Sequence, residues 1–217
     1  DDVQVDPDWL AAYAEAARQW PDAGYFSGAI RACFADDVPA RIRNQQAPLS
    51  GMLCVLDRGP RARWLRRRQF PYGPNMALRR EVLGTHPFSE QVGRTGHEQV
   101  RGSESSLFLE LRRRGVRGRW VPEARVEHWI AADRANASYL RGYYHGCGRA
   151  QVRLAFLREA RPCLRIVIAA LREIAKSLRW WWVPARHRAT ASYLRGQLHE
   201  LRQRSATDAT VRNGEVE

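Results

Sequence analysis

An α/β fold followed by a helical annex is what this chain predicts, on three observations. Segments with helical periodicity alternate with short runs of β-branched and aromatic residues over residues 1–135, between Gly and Pro turn signals. From Asn136 to Arg204 the pattern is helical throughout, interrupted at Pro162 and Pro184. At 217 residues, with 44% hydrophobic and 10% aromatic content, the chain can bury one core and a small annex. Residues 205–217 form a polar tail without core-forming side chains, expected to be disordered. The expected division is therefore 1–135, 136–204 and 205–217.

The first predicted element is a helix from Pro7 to Trp20, with Asp6 as N-cap, Pro7 at the first position, and Leu10, Tyr13, Ala14 and Ala17 on one face. Pro21 ends it. Gly24 to Phe34 reads as a strand. Residues 35–69 are punctuated by Asp36, Asp37, Pro39, Pro48, Gly51, Gly59 and Pro60, and are expected to be mostly loop around one apolar run, Met52 to Leu56. A Gly/Pro turn then feeds an amphipathic segment (Phe70 to Leu83), followed by a polar loop from Ser89 to Gly102. Ser103 to Arg114 predicts a helix that turns Leu107, Phe108 and Leu111 inward and stops at Gly115. Val116 to Ile130 reads as two short strands about Pro122.

The formal net charge of +13 comes almost wholly from arginine, Lys176 being the one lysine. So basic a balance implies an anionic partner: nucleic acid, acidic phospholipid or a phosphorylated substrate. The choice of Arg over Lys has a second source in coding preference, which leaves the excess of charge unexplained. Cys33, Cys54, Cys147 and Cys163 have neither a C-x-x-C pair nor a partnered His spacing, which excludes the usual zinc patterns. The opening Asp1 and Asp2 do not look like a secretory leader, so reduced thiols and a cytoplasmic location are expected. The best uncharged apolar run, Ile166 to Leu171, is bracketed by Arg165 and Arg172 and falls far short of the roughly 20 residues of a membrane span.

Four strings stand in order: DDVQVDPDWL, FPYGPNMALRREVL, GRTGHEQVRGSESSLFLELRRRG, and WVPEARVEHWI followed by RANASYLRGYYHGCGRA. Over residues 1–150 they resemble the second half of bacterial family 2 glycosyltransferases, with their D-x-D and D-P-x-W-L elements, G-x-N-M-A-x-R-R turn, G-E-E or G-E-D loop before an L-x-x-L-R-x-x-G helix, and V-P-x-A-x-V-x-H strand pair. The resemblance implies a partial GT-A fold lacking its nucleotide-binding first half. It also implies an inverting, metal-dependent transfer from a nucleoside-diphosphate sugar to a saccharide or lipid-linked acceptor, in cell-envelope or exopolysaccharide synthesis. Asp1 and Asp2 match the last two acidic positions of a D-D-D run, so the chain is expected to begin within the donor site and to be inactive alone.

The chemistry wants such residues. A leaving diphosphate gains negative charge that a divalent cation, Mg²⁺ or Mn²⁺, neutralises. By resemblance, Asp2 and His128 are the metal residues, Asp1 and Arg134 hold the donor diphosphate, and Gly73 and Asn75 line the acceptor side. Glu104 aligns with the second acid of G-E-E and becomes the base that takes the acceptor proton, while Ser103 departs from the first acid. Each residue also has a structural use. An acid at a helix start is a cap, a histidine at a strand end is often a hydrogen-bonding fixture, and Gly73 with Pro74 makes an ordinary turn. Arg141 follows on the next helix and reads as a solvated position.

In the annex, Arg165, Arg172, Lys176 and Arg179 share one helical face, with Ile166, Val167, Ala170, Leu171, Ile174 and Leu178 on the rest and Trp180 to Trp182 at the end. Such a composition predicts a helix lying on an anionic membrane surface, at the inner face of the cell membrane, with packing against the catalytic core as the alternative. Two rival functions stay open. RARWLRRR and RRRGVRGR could grip nucleic acid, though no reader motif accompanies them and no nucleic-acid partner is expected. A catalytically dead membrane-surface scaffold is the other.

Overall fold

A computed structural model describes residues 2–67, 69–84, 94–95, 98–99, 102–158 and 161–214. The chain is mixed α/β and divides into two compact units, Asp1–Ser89 with Ser103–Asn136, and Glu90–Gly102 with Ala137–Glu217.

The first unit is built on two long parallel strands. Its elements in order are β1 (Val3–Val5), α1 (Trp9–Gln19), β2 (Ala23–Phe34), α2 (Ala40–Arg43), α3 (Gln46–Leu53), β3 (Arg63–Trp64), β4 (Met76–Leu78) and α4 (Arg80–Leu83). The short strands β5 (Arg94–Thr95) and β6 (Glu98–Gln99) belong to the second unit, after which the first resumes with α5 (Ser103–Arg113) and β7 (Arg117–Ile130). The sheet order is β1-β7-β2-β4, with β3 also on β7. Ala23 to Ile30 are all buried, as an apolar run must be when its strand is covered on both faces. The sequence predicts two strands about Pro122; instead one strand runs through, and its pairing with β2 slips between Gly28↔Val121 and Ala29↔Arg125. Pro122 has no N–H to give a ladder, so the residues after it bulge while the strand continues.

Helix α5 crosses between the parallel strands and buries Leu107, Phe108 and Leu111 as expected, with Phe108 packed 4.8 Å, centroid to centroid, from Tyr25. Helix α1 is shorter and differently turned than expected. Asp6 caps it through its backbone carbonyl, which accepts from Trp9 N at 2.9 Å, and the N-cap position falls to Asp8. Tyr13 and Ala16 are buried, whereas Leu10 is 69% exposed and Ala14 is exposed. The face is rotated because Trp9 and Tyr13 bring their polar tips to a buried partner, Asn75. Residues 35–69 hold more structure than their turn residues suggest: α2 and α3 bury Ile42, Leu49, Met52 and Leu53. Pro48 is tolerated because it sits in the first turn of α3, where no backbone N–H has an intrahelical acceptor.

Besides β5 and β6, the second unit holds α6 (Ala137–Arg158), α7 (Pro162–Arg179) and α8 (Pro184–Gly214) among its described residues. Backbones of α6 and α8 approach closely at two glycines: a β-carbon on Gly148 would lie 2.0 Å from Tyr193 O, and one on Gly196 2.0 Å from His145 O. Beside that contact, buried Glu200 accepts from Arg149 Nε at 3.0 Å and Arg153 Nε at 2.8 Å. The disordered tail expected from residue 205 is not found in the described part: α8 continues to Gly214, with Ser205 and Thr207 bonded to the carbonyls of Leu201 and Gln203. Adding a residue to an existing helix costs far less than starting one, so a polar sequence suffices there. Among the described residues, no helix is long and apolar enough to cross a membrane.

Candidate functional site

Asp2, His128 and Arg134 meet at the carboxyl end of the parallel pair. Trp129 N donates to Asp2 O at 2.7 Å, and Val3 is registered with His128, so the β1–β7 pairing sets the carboxylate beside the imidazole. Inward residues alternate along the end of β7, and His128 is one of them, 6% exposed. Its Nδ1 lies 3.0 Å from Leu53 O at the end of α3. A carbonyl only accepts, so Nδ1 donates to it, and Nε2 faces Asp2 Oδ2 at 3.6 Å. Arg134, in a single 3₁₀ turn after β7 (Ala132–Arg134), donates from Nη1 to the same oxygen at 2.5 Å. Burial alone would raise the Asp2 pKa; the Arg134 hydrogen bond and the positive neighbours outweigh it and hold the carboxyl below its ordinary range.

The donor set fits a divalent cation in part. One carboxylate and one imidazole converge, and the imidazole is oriented from behind by a backbone carbonyl, the usual support of a metal-ligating histidine. Imidazole suits Mn²⁺ better than Mg²⁺, and both ions take water and phosphate oxygens in their remaining positions. Among the described residues there is no group of three or more His, Cys, Asp or Glu that could hold a metal ion. Asp1 lies outside the described residues.

Glu104 and Gly73 form a second pairing. A β-carbon on residue 73 would lie 2.8 Å from Glu104 Oε1, so only glycine leaves the carboxylate its place. Glu104 is half-buried in the first turn of α5. The far end of α5 joins the start of β7, which is registered with the start of β2, so Glu104 lies towards the carboxyl edge of the pair, as does the Asp2 cluster. Ligands of open α/β sheets bind at such edges.

Asn75 does not belong to this set. It is fully buried, with Nδ2 donating to Ala29 O and Ala124 O, both at 2.8 Å, and Oδ1 accepting from Trp9 Nε1 at 2.9 Å and Tyr13 OH at 2.6 Å. Both donors and both lone pairs are spent, which corrects the acceptor-binding role to that of a core clamp. Arg141 stands exposed on α6 in the second unit. The residue that sequence reasoning missed is Leu53: a backbone carbonyl has no side-chain signature, and it lies 75 positions from the histidine it orients.

Three arginines of the second arginine-rich string, Arg112 to Arg119, are engaged within the protein. Arg112 donates to Tyr25 OH at 2.9 Å and to Gln69 O at 2.6 Å, and Arg117 stacks 3.7 Å from the Trp64 ring centroid. Arg119 stacks 3.3 Å from the Trp20 ring centroid, its pKa lowered by desolvation and by Arg117. Side chains committed in this way are poor phosphate grips. Compared with family models, curated proteins and solved structures, the chain matches none of them.

Proposed function

We propose that the chain is the acceptor-side part of a GT-A-type glycosyltransferase that moves a sugar from a nucleoside diphosphate to an acceptor hydroxyl, with a saccharide or lipid-linked molecule as acceptor. The observation that carries this reading is the meeting of Asp2 with His128 and Arg134, both more than a hundred positions further along the chain, at a strand carboxyl edge. Asp2 and His128 Nε2 would hold the divalent cation, which when bound neutralises charge on the departing diphosphate. Arg134, bonded to Asp2, would offer its forked donors to a phosphate oxygen of the donor. Glu104 accepts the proton of the attacking hydroxyl as the new glycosidic C–O bond forms and the bond to the diphosphate breaks on the opposite face.

The test uses protein that carries, ahead of Asp2, the strands the resemblance calls for. Transfer assayed over a panel of nucleoside-diphosphate sugars should require Mn²⁺ or Mg²⁺ and stop with chelator. For His128→Ala the Mn²⁺ affinity, read by electron paramagnetic resonance with nucleoside diphosphate present, should fall about 10-fold or more. Full transfer in excess chelator removes the metal role. Absence of transfer with every donor removes the enzyme.

A further inference from the structure

Helix α7 is packed the wrong way round for a core helix. Leu164, Val167, Ile168, Leu171, Ile174, Ala175 and Leu178 recur every three or four residues, a single apolar stripe that would normally face inward. It faces out: Leu164 is 52% exposed, Leu171 58% and Leu178 67%. Apart from Ile166, packed with Val152, Ala155 and Leu201, the seam towards α8 is polar instead. Buried Glu173 pairs with Arg186 and Lys176, Thr190 Oγ1 donates to Glu173 O at 3.2 Å, and Ser177 Oγ lies 2.7 Å from His187 Nδ1. Exposed Trp181 and Trp182 follow at the carboxyl end of the helix.

We propose that this stripe is a docking surface for an anionic lipid bilayer. At about 100° per residue, Arg161, Arg165, Arg172 and Arg179 line one flank of the stripe, all exposed. Lys176 lies on the same flank but is engaged by Glu173, the one acid of the helix, which is buried. Guanidinium groups reach phosphate headgroups, the aliphatic stripe and tryptophans enter the interface, and the helix lies flat. The three-and-four spacing would also suit a coiled coil with a second copy. Charge decides against it: α7 offers no exposed acid to meet the flank of a partner, so two copies would set arginine against arginine. The inference rests on α7 alone and stands whether or not the first unit transfers sugar.

Full-length chain is sedimented with phosphatidylglycerol-containing vesicles and with pure phosphatidylcholine vesicles. It should bind the first, release as salt rises, bind the second poorly, and show a blue shift of tryptophan emission on binding. Leu171→Glu with Leu178→Glu should reduce binding about 10-fold or more at an unchanged melting temperature, because neither side chain is packed. Each of Arg161→Gln, Arg165→Gln, Arg172→Gln and Arg179→Gln should weaken it about fivefold, the equivalent of about 1 kcal/mol per charge. Arg161→Gln and Arg179→Gln together provide the decisive pair if the other two affect folding. Binding to neither vesicle, or binding untouched by the two glutamates, overturns the proposal. So does a sedimentation-equilibrium dimer that those glutamates dissolve, which would assign the stripe to a second copy.

Discussion

Helices α5 and α7 carry the same kind of apolar stripe and bury opposite faces. In α5 the stripe is the packed side, with Leu107, Phe108 and Leu111 set against Tyr25, and Glu110 and Arg113 look outward. In α7 the packed side is Ile166, Glu173 and Ser177, and the leucines look outward. Periodicity tells that a helix has two faces; what the neighbouring element offers decides which one is covered. β2 offers apolar side chains, whereas α8 offers Leu201 to Ile166 but Arg186, Thr190 and His187 to the rest of the face.

The contrast can be broken by substitution. Glu173→Ala should cost the most, about 3 to 5 kcal/mol in guanidinium unfolding, since it strands Arg186, 3% exposed, without its counter-charge. A loss below 1 kcal/mol would show that the polar seam does not hold α7. Leu111→Ala on α5 should cost about 2 to 5 kcal/mol, because that residue is 1% exposed. Glu104→Gln, at the other end of the same helix, should leave stability nearly unchanged and, in the proposed transferase, lower turnover about 100-fold, or about 2.7 kcal/mol of barrier. Turnover equal to wild type would remove it as the base. The smallest mutational effect belongs to Leu171→Ala, expected within about 0.5 kcal/mol of wild type. If it matches Leu111→Ala, the two helices do not differ as described.

A pH titration sharpens the same comparison from the α6–α8 side. Burial, then His199 and Arg149, lowers the His145 pKa from its ordinary 6.5. The unfolded chain therefore takes the proton more readily, and stability should fall as pH drops below about 6.5 until the folded state also protonates. His145→Gln should flatten that slope. An unchanged slope would assign the acid sensitivity to other groups.

Much of the fold was legible where a local pattern and its tertiary use agree. β2 reads as a strand, α5 as an amphipathic helix ended by glycine, and the breaks at Pro162 and Pro184 fall where the helices change. The reading failed where one residue's use depends on distant ones. α2 and α3 hide among turn-forming residues that fit helix ends and first turns as well as loops. Asn75 stands in the motif-like turn, but its four partners lie up to 66 positions away, and nothing nearby tells a core amide from a ligand-facing one. Asp2, His128 and Arg134 are named by the resemblance of their motifs, and the structure brings their side chains together. Their meeting point depends on strand register, which no local pattern carries.

That register has a consequence for synthesis. Ala23 pairs with Arg117, so β2 leaves the ribosome about ninety residues before the strand that completes it. At about 5 to 20 residues per second the gap lasts about 5 to 18 seconds, during which an eight-residue apolar segment has neither its long parallel neighbour nor the Ala124 carbonyl that helps fix Asn75. Contacts this far apart in sequence close slowly even in the finished chain. The nascent protein should thus depend on a holding chaperone over that interval, and a slower-translated stretch between β2 and β7 would lower the yield of folded molecules without altering a single native contact.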